Sequence, residues 1–350
     1  MARRFLSLTA APGSRPKPLP PCAAAEPALP WRVTFHSVWP TEWTLAERAA
    51  AMASDFAQFV RHLEKEGIVP AGASWTRMEG GRTNRLWKLD AGEGTDALVV
   101  KLYSHAAPNP MFPNQPEAEE RVLRHLVGQG VAPECHALLE TPLGPCLIYR
   151  YLPGAPWRTD PAPVARQLRR LHQMPAPPDL RHGVDGAAQI IEQTRLILSH
   201  VPQKQSREHE QTLPRMALPG PSGQRALLHG DVVPGNLVMA SEGPVLIDWQ
   251  CPAAGDPAED LAIFLSPAMQ QLYCGRPLDK AERAAFLAAY DDPETIARFR
   301  ALAPWHHWRM AAYCLWRLHQ GATDYAEGYA LERAALCRYA ESAAARDAVL

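Results

Sequence analysis

The sequence lacks both a strong excess of charge and a long apolar run. Its 36 Lys and Arg residues nearly balance its 37 Asp and Glu residues, which leaves a formal net charge of −1 at pH 7. Such a balance gives no general attraction to nucleic acid or to an anionic membrane. No apolar stretch approaches the roughly 18 residues that a membrane-spanning helix needs. We therefore expect a soluble, cytoplasmic protein without a nucleic-acid or membrane partner.

The cysteines follow no metal-binding or disulfide pattern. The seven cysteines form no Cys-x-x-Cys pair and leave an odd number. Zinc clusters use closely spaced pairs, and small disulfide-stabilised domains use even sets, so the sequence favours neither class. Reduced thiols are expected, which agrees with a cytoplasmic location.

The first part of the chain is short of acidic residues and of periodic apolar patterns. Residues 1–41 contain eight prolines and five basic residues but only one acidic residue, Glu26. This composition predicts disorder, because it cannot bury enough apolar surface to form a core. An Arg-rich, acid-poor start also resembles an organelle transit peptide. Met52 directly precedes an amphipathic stretch at 55–65, so we expect residues 1–51 to be a disordered or artefactual extension and Met52 to be the biological start.

The most informative segment, residues 226–261, contains two short apolar runs flanked by polar residues. The runs at 237–240 and 245–247 are separated by Ser-Glu-Gly-Pro, which predicts a tight hairpin. In such a hairpin Asn236 lies close to Asp248 at the open end, with Cβ atoms roughly 5 to 8 Å apart. Since Mg²⁺ prefers hard oxygen ligands, an amide and a carboxylate there predict a shared cation site.

A second carboxylate precedes the hairpin. Asp231 lies in a His-Gly-Asp turn that follows the apolar run at 226–228. A carboxylate in this position is free to orient a hydroxyl nucleophile, which is the work of a general base.

These residues resemble a known family of enzymes. His229, Asp231 and Asn236, followed by Asp248, are similar to the catalytic loop and metal-binding segment of the aminoglycoside phosphotransferase and choline kinase family, relatives of the protein kinases. Protein kinases have His-Arg-Asp and Asp-Phe-Gly, whereas this chain has Gly230 after the histidine and Asp-Trp-Gln at the second motif. These departures favour the small-molecule branch. The Val-Pro pair before Gly-Asn and the Ile-Asp-Trp run look most similar to bacterial choline kinases.

The resemblance implies an α+β, protein-kinase-like bilobal fold. We expect an N-lobe at 52–152, made of an antiparallel sheet plus a helix, that binds the nucleotide, and a mainly helical C-lobe at 153–350 that carries the catalytic loop and substrate site. The resemblance assigns catalysis to Asp231, metal binding to Asn236 and Asp248, and supporting roles to His229 and Asp260.

A nucleotide site should precede the catalytic loop. Strand-like runs flank Gly80-Gly81-Arg-Thr-Asn84, where glycines let a backbone approach phosphates closely. Lys101 interrupts a buried-type strand, and the resemblance makes it the phosphate-binding lysine. Its expected partner is Glu119 on the following helix, with Glu120 as the alternative. The cofactor-binding set predicted from the sequence is Lys101, Glu119, Gly80, Gly81, Asn84, Arg150 and Leu152, the last two holding adenine through backbone groups.

An aromatic segment at 304–316 offers a possible substrate site. Aromatic faces attract quaternary ammonium groups, so a choline cage could be built from Trp249, Trp305, Trp308, Tyr313 and Trp316. The spacing of three of these tryptophans also fits one buried helical face, which is the alternative.

The sequence thus predicts an ATP- and Mg²⁺-dependent kinase that phosphorylates a hydroxyl of a small molecule, with a choline- or ethanolamine-like acceptor favoured. An aminoglycoside or other amino-sugar phosphotransferase is the alternative, and its acidic cleft is hinted at only by Asp291, Asp292 and Glu294. An inactive nucleotide-binding scaffold is a third possibility, although Lys101 and Asp231 are both present. The sequence does not specify the acceptor or the oligomeric state.

Overall fold

The computed structural model describes residues 45–347 except 79–81, 91, 93–95 and 105–108, and it describes side chains from residue 54 to residue 341 apart from Ala340. Most of the expected extension at 1–51 therefore lies outside the described residues. The first helix, α1, spans Leu45–Lys65. Residues 45–51, which were expected to belong to the extension, are helical and continuous with the predicted amphipathic helix.

The N-terminal half is built on a five-stranded antiparallel sheet. Its strands are β1 (Ser74–Arg77), β2 (Arg85–Asp90), β3 (Leu98–Leu102), β4 (Cys135–Thr141) and β5 (Gly144–Arg150), in the order β1-β2-β3-β5-β4. The β-branched and aromatic residues of β2, β3 and β5 suit a pleated, buried surface. Helix α2 (Pro116–His125) joins β3 to β4.

The two faces of this sheet are covered by different helices. Val100 and Leu102 of β3 pack with Phe59 and Leu63 of α1. Val99 belongs to the other face, which packs with α2. Because side chains alternate along a strand, Lys101 lies on the same face as Val99 and therefore under α2.

The C-terminal half begins with short strands and helices around the catalytic segment. These elements are β6 (Ala155–Pro156), α3 (Ala162–His172), α4 (Ala187–Leu198), α5 (Gln203–Glu210), β7 (Ala226–Leu228), β8 (Leu237–Ala240), β9 (Gly243–Leu246) and β10 (Ala253–Gly255). Strand β8 pairs with β6 and β9, and β7 pairs with β10. The predicted hairpin of β8 and β9 is present.

Five further helices complete this half. They are α6 (Ala258–Phe264), α7 (Pro267–Cys274), α8 (Lys280–Tyr290), α9 (Pro293–His319) and α10 (Ala326–Asp347). Helix α9 contains Pro304 in its interior. Proline removes one backbone hydrogen bond from a helix interior. Packing of α9 against α4, α6 and α10 offsets that loss.

The α+β, protein-kinase-like fold class is therefore confirmed. No described helix has the length and apolar character needed to cross a bilayer. Cysteines 135, 146, 251, 274 and 314 carry free thiols. Cys337 is disulfide-bonded, so the expectation of reduced thiols is wrong at that position.

Candidate active site

The hairpin brings Asn236 beside Asp248. Leu237 pairs with Leu246 and Ala240 pairs with Gly243, so the turn is formed by residues 241 and 242 rather than by residues 242 and 243. The Ile247 N–H donates to the Asn236 carbonyl at 3.0 Å. Asn236 is therefore opposite Ile247, and Asp248 follows directly at the open end.

Asp248 has an unusual backbone conformation. Its φ is +62°, in the left-handed region that few residues other than glycine adopt without a cost. Strain of this kind persists where surrounding contacts hold the residue in place, and it clusters at functional sites. The conformation ends the hairpin and directs the chain away from β9.

Asp231, Asn236 and Asp248 line one cavity. The Asn236 Nδ2 donates to the Asp231 carbonyl at 2.9 Å, which leaves Oδ1 as the atom that can face a cation. The Asp248 carboxylate and the Asn236 amide oxygen suit a hard divalent cation that takes its other ligands from water and phosphates. Among the described residues no group of three His, Cys, Asp or Glu side chains is placed to hold a metal ion. A cation at this site would therefore need phosphate oxygens as further ligands.

Asp260 holds the turn that carries Asp231. Its buried carboxylate accepts the His229 and Gly230 N–H groups, both at 2.8 Å, and contacts His172 Nε2 at 3.1 Å. Burial would raise the pKa of Asp260, but the hydrogen bond from His172 and the nearby imidazoles outweigh it and hold that pKa below its ordinary value. The turn is therefore fixed by a buried anion.

His229 holds the same turn from the other side. Its Nε2 lies 3.0 Å from the Ile247 carbonyl, and its Nδ1 lies 3.3 Å from the Asp231 backbone nitrogen. These contacts require a proton on Nε2 and a free lone pair on Nδ1. Burial lowers the pKa of His229, which favours this neutral form.

The backbone conformation and close packing at Gly230 explain why this chain has no arginine where protein kinases have one. Its φ is +78°, and a Cβ atom there would lie 2.2 Å from the Cys251 carbonyl oxygen. Arg181 reaches the same place from another segment and donates to that carbonyl at 2.8 Å. No side chain fits at position 230 without moving the Cys251 backbone.

The surroundings of the half-buried Asp231 carboxylate disfavour its ionised form. Burial, followed by the negative charge of Asp248, raises the pKa of Asp231 to about 8. A carboxylate whose pKa is raised has greater affinity for a proton, which suits a general base.

Lys101 contacts Glu119 and Asp248 on the face of the sheet that α2 covers. Its Nζ lies 2.5 Å from Glu119 Oε2 and is also paired with Asp248 Oδ1. Burial disfavours the ammonium, but the carboxylates of Asp248 and Glu119 outweigh it and raise the pKa of Lys101. Tyr103 donates a further hydrogen bond to Glu119. Glu120 instead pairs with Arg124 at 2.9 Å, so the lysine's partner is the expected Glu119.

Asn84 does not have the position expected of a nucleotide ligand. Its Nδ2 donates to Asn114 and Gln250, and its Oδ1 accepts from the Ser104 backbone and Asn114, at distances of 2.8 to 3.0 Å. These four bonds use all the hydrogen-bonding capacity of the amide. The nucleotide-binding prediction for Asn84 is therefore wrong, since the side chain joins protein segments. The neighbouring Gly80 and Gly81 lie outside the described residues.

The predicted adenine segment is only partly available. The Arg150 N–H donates to the Glu134 carbonyl at 2.9 Å, and its guanidinium forms an exposed ion pair with Asp96 at 3.1 Å. The N–H and the guanidinium of Arg150 are thus both engaged, and adenine binding by the other backbone groups around Arg150 stays a prediction. Leu152 follows β5 and is half-buried, and its role stays a prediction.

The expected tryptophan cage is wrong. Trp249 and Trp308 are 0% exposed, and Trp305 is 1% exposed. The Trp249 indole N–H donates to a backbone carbonyl, and Trp308 stacks on His209 with ring centroids 5.4 Å apart. Trp316 is 8% exposed. No tryptophan in the described part of the chain lines the cavity of Asp231, because these indoles fill the C-terminal core.

Other residues line that cavity and were not found from the sequence. They are Arg82, Asn109, Tyr273, Arg317 and Tyr325, together with Tyr313, which was considered only as part of the cage. They come from five separate segments, so no local spacing could have revealed them.

The acidic residues expected to mark an aminoglycoside cleft lie elsewhere. Asp292 caps α9 and pairs with Arg169 at 2.7 Å. Asp291 ends α8, and Glu294 is in the first turn of α9. None of the three lines the cavity of Asp231, so this hint of an acidic cleft is wrong.

Comparison of the fold with solved structures finds small-molecule kinases. A choline/ethanolamine kinase family protein from Mesorhizobium loti is 17% identical with a TM-score of 0.55, covering 80% of this chain and 94% of that chain. An ethanolamine kinase from Plasmodium vivax is 13% identical with a TM-score of 0.56, covering 86% and 95%. An amicoumacin kinase in complex with AMP-PNP and Ca²⁺ is 14% identical with a TM-score of 0.52, covering 81% and 95%.

Comparison at the level of sequence assigns the family. A search among curated proteins finds no match. Residues 74–302, more than half of the chain, match the profile of the phosphotransferase enzyme family. This range contains both the Lys101–Glu119 pair and the cavity residues Asp231, Asn236 and Asp248. The chain belongs to the phosphotransferase enzyme family.

Proposed function

We propose that the protein transfers the γ-phosphoryl group of ATP to a hydroxyl of a small molecule, with Mg²⁺ as the divalent cation. The observation that supports this most strongly is the convergence of Asp231, Asn236 and Asp248 on one cavity, with Asp248 paired to the buried Lys101. The solved amicoumacin kinase contains AMP-PNP and a divalent cation, which agrees with nucleotide and metal use.

Asn236 and Asp248 would hold the cation through Oδ1 of the amide and the carboxylate. When bound there, a divalent cation neutralises phosphate oxygens and the charge that develops on them. Lys101 is the ammonium available to the phosphates, and Glu119 keeps it at the sheet surface.

Asp231 orients the acceptor hydroxyl and takes its proton. The hydroxyl oxygen forms a bond to the γ-phosphorus as the bond between that phosphorus and the β–γ bridging oxygen breaks, and ADP leaves with the electron pair. Phosphoryl transfer has a loose transition state, so positioning and electrostatic stabilisation supply most of the catalysis. A protein nucleophile is not part of this mechanism.

The acceptor classes expected from the sequence, choline-like amines and aminoglycosides, are both cationic. Neither the tryptophans nor the acidic residues on which those expectations depended line the cavity. We therefore propose only a small molecule that bears a hydroxyl.

A transfer screen with labelled ATP tests this function. The panel would contain choline, ethanolamine, thiamine, amino sugars, aminoglycosides and uncharged polyols, each with Mg²⁺ and with a chelator. We expect Mg²⁺-dependent transfer that Asp248→Asn abolishes and Asp279→Asn, at the exposed cap of α8, leaves unchanged. Failure of the wild-type protein to bind ATP with Mg²⁺ would overturn the proposal.

A further inference from the structure

The cavity carries two arginines as well as two carboxylates. Arg82 and Arg317 both line it, together with Asp231 and Asp248. Whether each of these two guanidiniums already has an anionic partner indicates which acceptors the site tolerates. This inference rests on the proposed function.

The positive charge of the Arg82 guanidinium is already balanced by an anionic partner. It forms an ion pair with Asp324 at 2.7 Å. It also lies over the rings of Tyr273 and Tyr325, 5.6 and 5.5 Å from their centroids. Arg82 therefore needs no ligand to satisfy its charge.

Arg317 is different, because it has aromatic neighbours but no anion. Its guanidinium lies 5.2 Å from the Tyr325 centroid and 5.6 Å from that of Trp316. In the described part of the chain no carboxylate lies within ion-pair distance of Arg317. Its Nε is buried and has no hydrogen-bond partner among those residues. An enclosed N–H without a partner is costly, and native proteins nearly always satisfy such groups.

The same arrangement disfavours a cationic acceptor. A quaternary ammonium or amine would need free aromatic faces. The guanidiniums of Arg82 and Arg317 already lie over Tyr325, and Arg82 also lies over Tyr273. The Tyr313 ring packs against the rings of Phe112, Trp316 and Tyr325. Of the carboxylates lining the described cavity, Asp248 would hold the metal and Asp231 would take the proton of the acceptor hydroxyl. A second cation would therefore meet like charge without a free counter-ion.

We propose that the acceptor carries an anionic group, a carboxylate or a phosphate monoester, beside the hydroxyl that is phosphorylated, and that Arg317 binds this group. A planar guanidinium presents parallel donors that match two oxygens of either group. Pairing would give the Nε–H a partner and place the hydroxyl on the side of the cavity that holds Asp231.

Matched acceptor pairs test this proposal and separate the two anions. Glycerate and glycerol 3-phosphate would be compared with glycerol, and 4-hydroxybutyrate with 1,4-butanediol, alongside choline and kanamycin. We expect transfer to at least one anionic member, with an acceptor kcat/KM at least tenfold above that of its neutral counterpart. The preferred anion identifies the source as carboxylate or phosphate.

Variants show whether Arg317 is responsible. Arg317→Met should raise the KM for the anionic acceptor at least tenfold while leaving the KM for ATP unchanged, and Arg317→Lys should restore part of the loss. Arg333→Met, which removes another arginine stacked on a tyrosine at 5.9 Å, is the matched control and should change neither value.

Several outcomes would overturn the inference while leaving the proposed function intact. These are better transfer to cationic or neutral acceptors, a KM change for ATP rather than for the acceptor, or no transfer to any anionic member by a protein that binds ATP and Mg²⁺. Loss of ATP binding in the wild-type protein would instead count against the proposed function.

Discussion

Asn84, which directly precedes β2, and Gln250 join the N-terminal sheet to the segment that carries Asp248. The Asn84 Nδ2 donates to Gln250 Oε1 at 2.8 Å, and both side chains are buried. Gln250 is two residues past Asp248, and its carbonyl accepts the Gln115 N–H at the start of α2 at 3.1 Å. The segment that carries Asp248 is therefore tied both to the start of β2 and to the helix that carries Glu119.

Removing the Gln250 amide should harm both stability and nucleotide affinity. Gln250→Ala leaves an Asn84 N–H buried without a partner, which we expect to cost about 1 to 3 kcal/mol of unfolding free energy and to raise the KM for ATP. The control is Gln270→Ala, which removes another buried glutamine that donates to a carbonyl at 2.7 Å in the C-terminal half. That variant should lose stability without a change in KM. Equal KM values for the two variants would show that the tie does not position the site.

Neutralising Glu119 should weaken ATP binding. Glu119→Gln keeps the shape of the side chain but removes half of the negative charge around the Lys101 ammonium, which we expect to raise the KM for ATP about tenfold or more. Glu120→Gln alters the neighbouring glutamate, whose partner is Arg124, and should behave like the wild type. Steady-state kinetics with varied ATP would distinguish them, and a larger effect at position 120 would reverse the assignment.

Alanine substitutions at two glycines allow the cost of backbone strain to be measured separately from the cost of a steric clash. Gly128 and Gly230 have similar φ values of +74° and +78°, but a Cβ atom meets nothing within 4 Å at Gly128 and lies 2.2 Å from a carbonyl oxygen at Gly230. Gly128→Ala should therefore cost about 1 kcal/mol of unfolding free energy with full activity. Gly230→Ala should cost more and abolish transfer. Urea unfolding and activity assays on both variants test this, and normal activity in Gly230→Ala would contradict the described turn.

The buried His209 should make stability depend on pH. Burial lowers the pKa of His209 to about 4, while the unfolded chain takes up the same proton near pH 6.5. The unfolded state binds more protons between these values, so unfolding free energy should fall as pH decreases from 6.5 to 4, by up to roughly 3 kcal/mol. His209→Gln should flatten this slope, whereas His200→Gln on the surface should not. Identical slopes for both variants would refute the prediction.

The catalytic segment could be predicted from sequence because its residues are close together in the chain. Asp231, Asn236 and Asp248 are connected by one hairpin, and a hairpin register can be inferred from apolar runs and turn residues. The pairing of Lys101 with Glu119 involved only one strand and the next helix. The α+β class followed from the resemblance that these same residues carry to the aminoglycoside phosphotransferase and choline kinase family.

The remaining cavity residues could not be predicted because they meet only through tertiary packing. Arg82 and Arg317 are separated by most of the chain, and nothing in their neighbourhoods marks them. The prediction of a tryptophan cage on α9 was wrong for a related reason. Helical spacing identifies one face of a helix, but it does not tell whether that face packs in the core or lines a cavity. Asn84 was misassigned because its partner Gln250 is 166 residues away.

The central claim is that Asp231 acts on the acceptor hydroxyl while Asn236 and Asp248 hold the nucleotide's cation. Asp231→Asn tests it most directly, through transfer rate and, by calorimetry, affinity for a non-hydrolysable ATP analogue with Mg²⁺. We predict a fall in transfer of about 10²-fold or more, as expected for loss of a general base, with the affinity for the analogue essentially unchanged. Equal loss of transfer and of nucleotide affinity would contradict this division of roles.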